Sequence, residues 1–246
     1  MKKLKFIAVM LILSFGAAAQ EYKPVAGDVT AEVGLTGGLL NSSLSLAPSA
    51  FTTKAGNPVP TLRFRYFLQD KLAIRVGANF TSSTTTTNFY EAAPGTGSGY
   101  DKLANSLFGM NLGIEKHFAG SDRLSTYAGA DLLFQTTGAS EKMSNSANGT
   151  SYTAGASGTV SGNNANGNNS LGIGVRVITG ADYYFVEKVY IGGEFGFGFI
   201  SSTNGEVKTS TTTPAGVTTN VTSKSTGGAF NIAPSMTAGV RIGYRF

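Results

Sequence analysis

Eleven charged residues of this 246-residue chain fall on one parity of segments that alternate polar and apolar: Glu32, Arg63, Arg65, Arg75, Glu115, Asp131, Arg176, Asp182, Glu194, Arg241 and Arg245. Six are arginines and five are carboxylates, with no lysine among them. Guanidinium is planar, stays charged when partly buried, and can serve two carboxylates at once, so this set suits a cross-linked ion-pair network. Other chemistry is poorly supplied. The chain has one histidine, His117, and no cysteine, which leaves no metal-binding constellation and no thiol nucleophile. Glu91, Asp101, Glu141 and Glu206 do not follow calcium-loop spacing. The glycine runs at Gly172-x-Gly174 and Gly193-x-x-Gly196-x-Gly198 match neither the dinucleotide nor the P-loop pattern and lead into no helix. The reading is a non-enzyme without a cofactor.

The elements that would carry these charges read as strands. Period-2 alternation between turn signals predicts eight of them, at about 30–40, 61–68, 72–81, 105–118, 124–136, 170–185, 189–201 and 229–246. Glycine and β-branched residues dominate, so helix is unsupported. In the sixth segment Leu171, Ile173, Val175, Val177, Thr179, Ala181, Tyr183 and Phe185 alternate with Gly172, Gly174, Arg176, Ile178, Gly180, Asp182 and Tyr184. From Met236 the apolar row Met236, Ala238, Val240, Ile242, Tyr244, Phe246 opposes Thr237, Gly239, Arg241, Gly243, Arg245. Short connections at 69–71, 119–123 and 186–188 alternate with long ones at about 41–60, 82–104, 137–169 and 202–228. The long ones are rich in Thr, Ser, Asn and Gly. They lack the apolar residues of a packed core and are expected to be mobile.

Composition argues about surroundings. Charged residues make up 13% of the chain, against the ~25–35% of a well-solvated surface. Lys2, Lys3 and Lys5 precede an apolar run, and Ala17-Ala18-Ala19 offers a small-residue cleavage site, so 1–19 is expected to be a secretory signal peptide. Its removal leaves a mature charge near +2, which takes away the case for a nucleic-acid partner. A water-soluble barrel shows the same alternation turned inside out. Three facts favour lipid outside: the apolar row ending on Phe246, the alternation of short and long connections, and lysine nearly absent from the predicted strands, Lys116 excepted. Tyr66, Phe118, Tyr183, Phe185, Tyr190 and Tyr244 would form one interfacial girdle, and Phe80, Phe134, Phe199 and Phe230 the other.

The terminal Val240-x-Ile242-x-Tyr244-x-Phe246 row, the signal segment, the eight alternating segments and the unequal connections together resemble the small bacterial outer-membrane β-barrel family of OmpA/OmpX type. The resemblance covers nearly all of 20–246. It implies an all-β, eight-stranded antiparallel transmembrane up-and-down barrel in a Gram-negative outer membrane; because the sequence stops with the eighth segment, no peptidoglycan-binding domain of the full-length OmpA type is expected. It also implies a monomer whose partners are outer-membrane lipids and the barrel-assembly machinery, with Val240, Ile242, Tyr244 and Phe246 as the assembly signal. The long connections would then face outside the cell and hold any extracellular ligand. Eight-stranded enzymes that modify lipid A have a similar architecture, but they place histidine near the outer surface. His117 falls at the opposite, short-turn end and reads as an interfacial residue. Two functions remain: a structural or surface-interaction barrel with a narrow, plugged lumen, or a porin-like channel for ions or small solutes.

Overall fold

The computed structural model describes residues 22–36, 59–92, 95–118, 120–224, 227–235 and 241–246. The expected signal peptide, nearly all of the first long connection and Val240 lie outside the described residues. The described chain forms strands and no helix. In order they are β1 (Val29–Thr36), β2 (Val59–Gln69), β3 (Leu72–Tyr90), β4 (Ser98–Phe118), β5 (Leu124–Ser144), β6 (Ser157–Ser161) and β7 (Asn163–Asn164). There follow β8 (Gly167–Asn168), β9 (Ser170–Val186), β10 (Val189–Asn204), β11 (Val207–Thr212), β12 (Thr218–Ser223), β13 (Gly228–Ser235) and β14 (Arg241–Arg245).

Eight positions close into a ring, every neighbour antiparallel: β1, β2, β3, β4, β5, β9, β10, and an eighth shared by β13 and β14. β14 returns to β1 through the register Thr30↔Arg245 to Gly34↔Arg241, which completes the closure. A closed ring leaves no unpaired edge in hydrocarbon, where backbone groups have no water to bond. The alternation predicts the two faces correctly. On the outer face Val33, Leu132, Ile173, Val177 and Ile242 are each 58–62% exposed. A continuous apolar belt of that extent is not kept in water, so it marks the surface that meets lipid.

The connections predicted to be mobile are in large part ordered sheet. β3, β4 and β5 run well past the ring, pairing as far as Tyr90↔Ser98 and Tyr100↔Ser144. β6 joins β5, β11 joins β6 and β12 joins β11, so a six-stranded extension, β3-β4-β5-β6-β11-β12, rises from the long-connection side. Threonine and valine supply the strand preference. Both sides of much of this sheet meet water, so it carries no apolar alternation to read. Lys102, Lys142 and Lys208 all lie in its strands, which corrects the expectation that Lys116 alone is a strand lysine. Tyr190 also departs from its expected place. It is fully buried inside the ring rather than in the girdle, as its parity between Val189 and Ile191 requires.

Candidate functional site

The inward rows bring ten of the eleven predicted charges into one layer across the lumen. Arg75, on β3, forks onto Asp131 of β5 with both bonds at 2.7 Å, and reaches Glu194 of β10 at 2.6 Å and Glu115 of β4 at 3.2 Å. Arg65, on β2, lies 2.6 Å from Asp182, 2.8 Å from Glu115 and 2.9 Å from Glu32. Arg63 donates twice to Glu194, at 3.0 and 3.2 Å. Arg176 holds Asp131 at 2.6 Å. Arg241, on the closing strand, lies 2.5 Å from Asp182 and 3.0 Å from Glu32. Five arginines therefore meet five carboxylates. An eight-stranded ring has an interior that side chains can just fill, and these ten side chains reach across it.

Arg245 stands apart. It is inward and buried, but its carboxylate is Asp28, at 3.5 Å, in the turn ahead of β1, and it also donates to the Lys23 carbonyl. Asp28 sits before the first alternating segment, so the predicted set does not contain it.

Aromatic residues with polar tips complete the layer, and sequence reasoning missed their part. Tyr127 donates to Glu194 at 2.9 Å, accepts from Arg241, and lies under the guanidinium of Arg65 at 4.9 Å. Tyr190 donates to Glu32 at 2.9 Å and packs on Tyr184, ring centroids 4.8 Å apart. His117 also proves to be inward: it is 4% exposed and packs between Phe67 and Tyr127 rather than at the lipid interface. Its Nε2 lies 3.1 Å from Glu115 Oε1 and its Nδ1 lies 2.8 Å from Ser125 Oγ. A carboxylate only accepts, so Nε2 donates in this contact. The order serine, histidine, carboxylate is that of a hydrolytic relay. Ser125 is only 2% exposed, and the trio ties β4 to β5 at the short-turn end.

A second polar group lies in the extension, on the side continuous with the inward rows. The carboxyls of Asp101 on β4 and Glu141 on β5 lie close together, against Gly149. Gly149, at φ 68°, passes so close that a Cβ there would lie 3.1 Å from Asp101 Oδ2 and 3.3 Å from Glu141 Oε1. Burial pushes both carboxyls above their ordinary range, and the neighbouring Asp101 pushes Glu141 further. A carboxyl raised in this way binds its proton more tightly in the folded extension than in the unfolded chain. Its contribution is full in acid and is lost as pH rises through the raised values. Amide exchange at Ser146 and Thr153, bonded to the Ala156 and Asn145 carbonyls at 3.1 and 2.7 Å, reads this directly. After correction for intrinsic rates, protection is expected to be greater in mildly acidic buffer than at neutral pH. Asp101→Asn should flatten the difference, and equal protection at both pH values in the unsubstituted protein would refute the coupling.

The chain matches the family model of the putative OmpA-OmpF-like porin family over residues 48–199. No curated protein matches it. Among solved structures it is similar to the outer membrane protein OprG from Pseudomonas aeruginosa, with 16% identity, 92% of this chain and 98% of that one covered, and a TM-score of 0.36. It is similar also to a major outer membrane protein from Thermus thermophilus, with 14% identity, 90% and 100% covered, and a TM-score of 0.44. The N-terminal β-barrel domain of Pseudomonas aeruginosa OprF shows 13% identity, with 91% and 100% covered and a TM-score of 0.39.

Proposed function

Because this chain belongs to the putative OmpA-OmpF-like porin family, and so is an outer-membrane β-barrel, we propose that it is a surface-presenting barrel with a plugged lumen. One observation carries this reading: the layer of five arginines and five carboxylates reaches every wall of the ring, and Arg65 and Arg75 side chains are fully buried in it. A passing ion would have to part charge pairs in a low dielectric, where each loses several kcal/mol of compensation. The barrel then serves as a rigid base, and the working surface is the six-stranded extension outside the membrane. In this reading the protein is a monomer and no enzyme. Its final strand, with Ile242, Tyr244 and Phe246 turned outward, is what the assembly machinery recognises.

A porin-like channel is the second reading, favoured by the family itself and by Arg63 and Arg176, whose side chains keep 11% and 12% exposure at the edge of the layer. Conductance of the mature barrel in a planar bilayer decides between them, once a boiled-against-unboiled gel shift has verified folding. Silence is the expected result. Discrete, reproducible openings that change in Arg241→Ala would replace the plug with a gated path.

A further inference from the structure

On the strands of the extension the outer face carries lysines and no acid. The register places Thr86, Lys102, Lys142, Thr159, Ser210 and Asn220 in one row across all six strands. Lys208 stands in the adjoining row, across from Ser161 on β6. These residues share the parity of Phe108, Met110 and Phe134, and no register shift interrupts β3–β4 or β4–β5 between the apolar belt and the extension. The lysine face is thus the upward continuation of the lipid-facing wall. The two acids within the strands of the extension, Asp101 and Glu141, have the opposite parity and point to the other side, while Glu206, in the turn ahead of β11, shares the parity of Lys208. Lys102, Lys142 and Lys208 are exposed and form no ion pair among the described residues. Lys102 and Lys142 are direct cross-strand partners, an arrangement that repels unless an anion stands between them.

Height selects the anion. Lys102 lies six residues beyond Phe108, the top of the apolar row on β4. That is roughly 20 Å along a strand and about 15 Å above the hydrocarbon once a barrel's tilt is included. The polar zone of an ordinary phospholipid leaflet is only about 5–8 Å deep. A simple phospholipid phosphate falls short of these ammonium groups, whereas a sugar-extended headgroup bearing phosphates reaches them. The hydroxyls of Thr86, Thr159 and Ser210 in the same row suit a saccharide. We propose that the outer face of this extension docks the phosphorylated saccharide headgroup of an outer-leaflet glycolipid, with Lys102, Lys142 and Lys208 holding its phosphates. The inference rests on placement in the outer membrane and is independent of whether the lumen conducts.

The test reconstitutes the mature protein in phosphatidylcholine nanodiscs doped with core-phosphorylated lipopolysaccharide, or with the same material after phosphatase treatment. Glycolipid kept through detergent extraction is counted by native mass spectrometry. The phosphorylated form should be retained on the order of tenfold or more over the dephosphorylated one, and this preference should fall as salt is raised. The triple variant Lys102→Gln, Lys142→Gln, Lys208→Gln should lose it while keeping the gel shift of a folded barrel. The triple arginine variant, which folds with the same charge, should keep it. Equal retention of both glycolipids, or unchanged retention in a folded glutamine variant, overturns the proposal. So does full competition by millimolar inorganic phosphate, which would mean a site for free ions rather than for a headgroup. Should the glutamine variant not fold, Lys142→Glu alone must still weaken retention. Conductance in the same nanodisc-derived protein tests the plug separately.

Discussion

Glu194→Gln is expected to lower the stability of the barrel by about 3–5 kcal/mol, the cost of breaking a buried charge pair from one side. Glu194 is where the layer converges. It accepts from Arg63 and Arg75, takes the Tyr127 hydroxyl at 2.9 Å, and stands 3.4 Å from Arg241. Removing its charge leaves those guanidinium groups short of a counter-ion where water does not reach. Urea unfolding of the detergent-folded barrel, followed by far-ultraviolet circular dichroism, gives the midpoint. Arg245→Ala should cost less, because its carboxylate partner Asp28 is in the mouth of the ring and keeps 21% side-chain exposure. A Glu194→Gln midpoint no lower than that of Arg245→Ala would show that the layer is not what holds the ring.

Gly243→Val should prevent most of the chain from closing. Gly243 lies between Glu32 of β1 and Tyr190 of β10 in the register of the closing seam. The Tyr190 ring covers it so closely that a Cβ there would sit 2.1 Å from Cζ and 2.4 Å from Oη. The ring is fully buried and has nowhere to move without dropping its 2.9 Å bond to Glu32. Overpacking alone costs about 1–3 kcal/mol, and the loss of the Tyr190–Glu32 hydrogen bond adds to it. The fraction of unboiled protein that migrates as folded barrel measures the effect. Gly193→Ala is the matched control, since a Cβ at Gly193 meets nothing within 4 Å. Equal folded fractions in the two variants would rule out the packing argument.

Much of this was legible in the chain because lipid on one side and side chains on the other impose a strict period of two. Ten of the charges that parity turns inward meet in one layer, and the ring itself needed only the count of alternating segments. What parity also offered, and composition obscured, was the fate of the aromatics. Tyr190 and His117 have the parity of Glu194 and Glu115, yet tyrosine and histidine near a strand end suggest an interface, and that association outweighed the position. The extension was hidden for the opposite reason. At Thr84 to Thr87 and in β11 and β12 water lies on both sides, so nothing forces alternation, and only the β-branched character remains as a sign of strand. Asp101 and Glu141 came together because β4 and β5 continue in register past the membrane, a length the sequence does not announce.

Glu32 and Arg241 belong to the first and last strands of the ring, 3.0 Å apart across the seam. Backbone pairing elsewhere in the ring joins strands that follow one another along the chain, and each rung can form as its neighbours arrive. These two charges cannot meet until both ends of the sheet do. While the sheet is open Glu32 keeps Arg65 of β2 and Arg241 keeps Asp182 of β9, but the contact between the two is missing, and their attraction grows as the cleft dries. The pair acts as a drawstring: it opposes a half-shut sheet and rewards the final step, so that opening and shutting of this barrel should be abrupt rather than gradual.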